Sequence, residues 1–171
     1  MAWKGSVLVV ANQTAESPDL LAALHARAAR EEVAFTLVVP ARGPMPEDRD
    51  LAARTLDEAL TRIRDAGLEI KGSVGVSDPV AAVQEIWSPA EFDEVLVSTL
   101  PTDTSKWLRI NLPHRIERLT GAQVTHVVAS PRREPIVATP APEPERHGIL
   151  APLSVLLSGG RAGERSRSPD R

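Results

Sequence analysis

Between Val95 and Gly121 the chain reads VLVSTLPTDTSKWLRINLPHRIERLTG. Ser98, Thr99, Thr102, Thr104 and Ser105 crowd hydroxyls into one short stretch, Lys106 and Arg109 follow, and an amphipathic segment begins at Asn111 and Leu112. Hydroxyls and main-chain N–H groups converging on a helix N-terminus can hold an anion, because the first turn leaves its N–H groups without intrahelical partners and the helix dipole favours negative charge there. The same residues also fit a plain polar loop, whose hydroxyls cap turns and whose cations are solvated. Asn12 and Thr14, in the ANQT that closes the first apolar run, are further hydrogen-bonding groups of the kind a ligand cleft uses.

Other chemistries find weaker footing. His25, His114, His126 and His147 are far apart, and no H-E-x-x-H or paired-ligand spacing occurs, so no metal site is expected. Ser98, His114 and Asp103 could be drawn as a triad, but no G-x-S-x-G turn precedes the serine, and no catalytic residue is assigned. The chain has no cysteine, which removes disulfides, thiolate nucleophiles and cysteine metal ligands. Trp87 and Trp107 could each stack on a ring or anchor a core, and Trp107 lies in the hydroxyl-rich loop.

The elements that must position these groups alternate. Val7 to Ala11 is a continuous apolar run ending in a polar turn, as a strand buried on both faces reads. From Pro18 the residues Leu20, Leu21, Leu24 and Ala28 recur at helical spacing behind Ser17, a natural N-cap with proline at the first helical position. Phe35 to Val39 is a second strand. Asp48 to Ala66 is a second helix with Leu51, Leu56, Leu60 and Ile63 as its apolar stripe and Gly67 as its stop. Leu68 to Val76 reads as a third strand, Asp78 to Trp87 as a helix opened by Asp-Pro, Val95 to Ser98 as a fourth strand, Leu112 to Leu119 as a fourth helix through Leu112, Ile116 and Leu119, and Val124 to Val128 as a fifth strand. Strands that alternate with helices predict a doubly wound α/β domain with a parallel sheet. In such sheets the ligand crevice lies at the carboxyl ends of the strands, so Asn12, Thr14, Ser98 and Thr99 should face one cleft.

A chain of 171 residues supports one substantial core, and the expected division is a domain over 1–130 and a Pro- and Arg-rich, mostly disordered tail over 131–171 with an apolar segment at 149–157. The net charge of -3 gives no sign of a nucleic-acid partner. No apolar run approaches the roughly 20 residues that span a bilayer, and MAWKGSVLVVANQ lacks a signal-peptide pattern, so the cytoplasm is expected. A receiver domain would need clustered acids after the first strand, and a flavodoxin a glycine-rich phosphate loop; NQTAES offers neither.

Ser6 to Val128 resembles a universal stress protein domain, of the adenine-nucleotide-binding α/β superfamily. The match is carried by VLVVANQTAES, with Asn12 where that family usually has aspartate, Gln13 at its glycine and Thr14 at its serine; by GVSDPVAAVQE from Gly75; and by FDEVLVSTL. The resemblance implies the strand order 3-2-1-4-5 and a cleft that uses Asn12, the Val39-Pro40 segment and the fourth-strand loop. In nucleotide-binding members that loop runs glycine, two residues, glycine, nine residues, glycine, then serine or threonine. Counted onto this chain those places are Ser98, Pro101, Asn111 and Leu112, and each departs from the pattern. Pro101 has no N–H, Leu112 no hydroxyl, and Ser98 and Asn111 carry side chains where glycine would let the backbone approach phosphate.

The resemblance with its altered loop therefore points to a non-enzymatic protein of stress or growth response that acts by dimerisation or by binding a protein partner and uses no cofactor, while a small α/β enzyme that uses the loop hydroxyls stays open as a further reading. The alternative is a member that binds ATP or another small nucleotide or anion through the altered loop. The family commonly pairs its fifth strand with a symmetry mate, which implies a homodimer through Val124, Val127 and Val128.

Overall fold

Val7, Leu8, Val9 and Val10 have no exposed surface. Side chains alternate across a strand, so a strand buried at every position must be covered on both faces. That strand, β1 (Gly5–Val10), lies at the centre of the sheet in the computed structural model, which describes residues 4–101 and 106–130. Expectations for Thr102, Asp103, Thr104, Ser105 and His147, and for the tail with its segment 149–157, lie outside the described residues.

The sheet is parallel throughout and ordered 3-2-1-4-5: β1 pairs with β2 (Val33–Pro40) and β4 (Glu94–Thr99), β2 with β3 (Ile70–Gly75), and β4 with β5 (Gln123–Val128). On one face α1 (Pro18–Ala28) and α2 (Pro46–Asp65) bring Leu20, Leu24, Leu56 and Ile63 onto Val7, Val9 and Leu96. On the other face α3 (Pro79–Ile86) and α5 (Leu112–Thr120) bring Ala82, Val83, Leu112 and Ile116 onto Leu8, Val10, Val95 and Val97. Each fully buried aliphatic contributes about 1.5–3 kcal/mol of transfer free energy, which is why the central strands hold both helix layers.

The helix ends follow local chemistry. Ser17 accepts the Leu20 N–H at 3.1 Å, and Asp78 accepts that of Val80 at 2.8 Å, each with proline as the next residue. Past the end of α2, Gly67 turns left-handed at φ +85, and the Leu68 N–H returns to the Ile63 carbonyl.

Three details differ from expectation. Leu51 is 37% exposed, and Ala52 and Ala59 take its place on the inner stripe of α2. It stands five residues before Leu56, which at about 100° per residue turns it off the stripe, whereas Ala52 stands four before. Leu119 shares the stripe of Leu112 and Ile116 but is 38% exposed, because the last turn of α5 lies beside the edge strand β5, where nothing among the described residues covers it. Finally, the loop after β4 holds a short helix, α4 (Lys106–Arg109).

Gly75 ends β3 where α3 crosses closely: a Cβ there would stand 2.6 Å from the Ala82 Cβ. That approach brings Ser77 and Pro79, at the entry to α3, up to the carboxyl end of the sheet.

Candidate functional site

Strand order reverses at β1, with β2 and β3 on one side and β4 and β5 on the other. Connections leaving neighbouring strands at such a point diverge to opposite faces, and a crevice opens between them. Here it is a cleft of about 310 Å³. The turn after β1 supplies Asn12, Gln13 and Thr14, and β4 with its exit supplies Ser98, Thr99 and Leu100. Ala41 and Arg42 close it from the end of β2, Ser77 and Pro79 from the end of β3, and Lys106, Trp107 and Ile110 from α4 and the residue after it.

Two hydrogen bonds fix the β1 turn. The Thr14 hydroxyl, 3% exposed as a residue, donates to the Ser98 carbonyl at 3.0 Å and so ties β1 to β4 across the switch. Asn12 Nδ2 donates to the Pro40 carbonyl at 2.8 Å and ties the same turn to β2. An ionised aspartate has no proton to give that carbonyl, so asparagine suits this backbone geometry where a carboxylate does not. Ser98 is buried at 1%, and its Oγ has no hydrogen-bond partner among the described residues. A buried hydroxyl without a partner costs about 1–3 kcal/mol, and this one belongs to a residue of the cleft wall. Thr99 Oγ1 lies 2.8 Å from His126 Nε2 on β5. Partial burial of the imidazole holds its pKa below the usual 6.5.

The charged side chains of the wall are Arg42 and Lys106, both cations and both exposed. With the indole of Trp107 and the apolar faces of Ala41, Leu100 and Ile110, the cleft joins a flat apolar wall to hydroxyls and a positive rim. Such a donor set fits a ring-bearing anion.

Asn12, Thr14, Ser98 and Thr99 thus share the cleft. Val39 is a fully buried core residue, Pro40 takes part only through its carbonyl to Asn12, and Asn111 stands next to the wall residue Ile110 as the N-cap of α5. Asn111 sits in the left-handed region at φ 52, ψ 47, and its side chain makes no capping bond. The backbone at this place keeps a conformation natural to glycine, and asparagine tolerates it best among side-chain-bearing residues. Leu112 is wholly buried in the core. Trp87 stacks on Phe92 with ring centroids 5.9 Å apart, away from the cleft wall. His114 is exposed beside Glu117 at 3.4 Å. Arg42, Ser77 and Pro79 were not singled out from the sequence as cleft residues. The signal that finds them is positional, since Arg42 and Ser77 lie in the connections that leave β2 and β3 and Pro79 opens the helix after β3, at strand ends that face the crevice.

A parallel sheet ordered 3-2-1-4-5 with its cleft at the switch defines a doubly wound α/β domain. Its fold is similar to that of the universal stress proteins. A universal stress protein solved in complex with cAMP superposes with a TM-score of 0.54 at 21% identity, covering 76% of this chain and 100% of that one. The universal stress protein of Archaeoglobus fulgidus superposes with a TM-score of 0.57 at 17% identity over 73% of this chain and 98% of its own. A complex of the Archaeoglobus fulgidus protein with dAMP gives 0.51 at 18% identity over 74% and 99%. At these identities the likeness is one of fold. By sequence the chain matches no protein-family model and no curated protein.

The left-handed Asn111 gives a direct test of the loop geometry. Asn111→Gly should leave stability to urea within about 0.5 kcal/mol of the parent, while Asn111→Val should lower it by roughly 1–2 kcal/mol, because a β-branched residue cannot adopt that backbone without strain. Equal stabilities for the two variants would contradict the assigned conformation.

Proposed function

We propose that this chain is a universal stress protein-like, non-enzymatic protein of stress or growth response whose cleft binds a nucleotide carrying a single phosphate. The observation that carries this reading is the junction of Trp107, the Ser98 hydroxyl that has no partner among the described residues, and the Arg42 and Lys106 rim in one cleft at the switch of strand order. The complexes of fold neighbours with cAMP and dAMP lend it support.

A triphosphate is disfavoured by the residues at the mapped loop positions. Pro101 offers no N–H, Leu112 no hydroxyl, and Ser98 and Asn111 hold the backbone back by a side chain. Each missing hydrogen bond to a charged group costs about 1–3 kcal/mol, or roughly tenfold to a hundredfold in affinity. The ATP motif is degenerate in this reading, and the extra phosphates of ATP gain nothing. The cytoplasm is the location it implies; among the described residues no helix is long and apolar enough to cross a membrane.

One observation favours a second reading, in which the domain acts by dimerisation or on a protein partner with no nucleotide bound. Among the described residues the edge strand β5 offers its outer N–H and C=O row beside Val128, which is 51% exposed. An open edge invites pairing with another strand, and a homodimer through Val124, Val127 and Val128 is compatible with either reading.

Isothermal titration separates the two. AMP and cAMP should bind, with Mg-ATP no tighter than AMP. Mg-ATP binding about tenfold or more tighter than AMP would mean that the altered loop still works as a triphosphate cradle, and absence of binding by all three would leave the partner-binding reading. Light scattering tests the edge: a dimer is expected, lost on Val127→Lys, and a monomer at high concentration would rule the pairing out.

A further inference from the structure

Thr99 belongs to two structures at once. It lines the cleft, and its hydroxyl is 2.8 Å from Nε2 of His126, an exposed residue on β5 outside the cleft wall. The register explains the contact. Thr99 pairs with Val128 and Val97 with His126, so Thr99 and His126 are diagonal neighbours on one face of the sheet, within reach of a ring and a hydroxyl.

A threonine hydroxyl has a single proton to give. A neutral imidazole that carries its proton on Nδ1 accepts at Nε2 and takes that proton, and only the lone pairs of Oγ1 remain for a ligand in the cleft. An imidazolium donates at Nε2, and the hydroxyl proton is then free to point at an anion. We propose that His126 is a positioning residue that sets, through Thr99, whether the cleft offers an acceptor or a donor, so that anion binding and proton uptake by His126 favour one another. The inference rests on the nucleotide reading of the cleft.

Among the described residues no other titratable group replaces His126 in this role. The elements packed against β5 are β4, α5 and α1. On β4 the charged group is Glu94, held by Arg27 at 2.8 Å. On α1, Asp19 accepts the Ser130 N–H at 2.7 Å, Arg27 is also paired with Glu31, and His25 is exposed. On α5, His114 lies beside Glu117, and Arg115 and Arg118 are exposed. Burial is the cause of the downward pKa displacement of His126. The neutral ring therefore prevails above the ordinary imidazole range, and the ring charges as pH falls through that range and below it. Because His126 reaches solvent, its proton needs no relay.

The probe is cAMP, whose phosphodiester keeps one negative charge across the window. Affinity for the full chain should rise about fivefold, the lower end of ordinary coupling, between about pH 8 and about pH 5.5. By reciprocity, saturating cAMP should raise the His126 pKa seen by NMR by the same factor. His126→Gln should flatten the pH profile while still binding cAMP at pH 8, which a merely structural loss would not produce, and Thr99→Val should flatten it whatever its effect on affinity. A parent profile that is flat, or a slope that survives in His126→Gln, with cAMP still bound, overturns the coupling alone. Absence of cAMP binding at every pH overturns the nucleotide reading and the coupling with it.

Discussion

The structure depends on one constraint: β1 is buried on both faces, so the helices that follow its two neighbouring strands must go to opposite sides of the sheet. Parallel pairing requires crossovers, crossovers cover faces, and the one place where covering helices diverge is beside the strand at which the order reverses. The cleft is the product of that divergence. Its walls are whatever residues happen to follow β1, β2, β3 and β4, which is why Arg42 and Ser77, distant in sequence from the hydroxyl-rich loop, stand in the same site.

Within this frame, polar side chains hold what backbone alone would leave loose. Thr14 joins the turn after β1 to β4, and Asn12 joins it to β2, so the floor of the cleft is fixed from both sides of the switch. These groups are committed to the fold. Ser98 Oγ is the exception, buried at the wall and unpartnered among the described residues, and Thr99 is shared with a strand at the sheet's edge. The site is therefore one of hydroxyls, a ring and two rim cations, unlike a glycine cradle built on main-chain N–H groups.

Much of this was legible in the sequence, and the reasons differ by element. Continuous apolar runs such as Val7 to Ala11 mark strands covered on both faces, and Ser17-Pro18 and Asp78-Pro79 mark helix starts by chemistry that is local. The grouping of Asn12, Thr14, Ser98 and Thr99 followed from the rule for carboxyl ends of parallel strands. What escaped was set by geometry between elements. Leu51 and Ala52 are one residue apart, and only the packed angle of α2 decides which is buried. The short helix at Lys106 lacks the length for a periodic signal, yet it carries Trp107 into the wall. The left-handed backbone at Asn111 could not be read from an asparagine, which adopts ordinary conformations as readily, and the contact between Thr99 and His126 needed the register of β4 and β5.

The central claim is that this switch-point cleft, altered loop included, is the ligand site. Backbone amide NMR on cAMP titration tests it most directly, because it reports position as well as binding. The account predicts shift changes gathered on Asn12, Thr14, Ser98, Thr99 and the Trp107 indole. Changes confined to the α2 face or to β5 alone, or none at about millimolar cAMP, would contradict it.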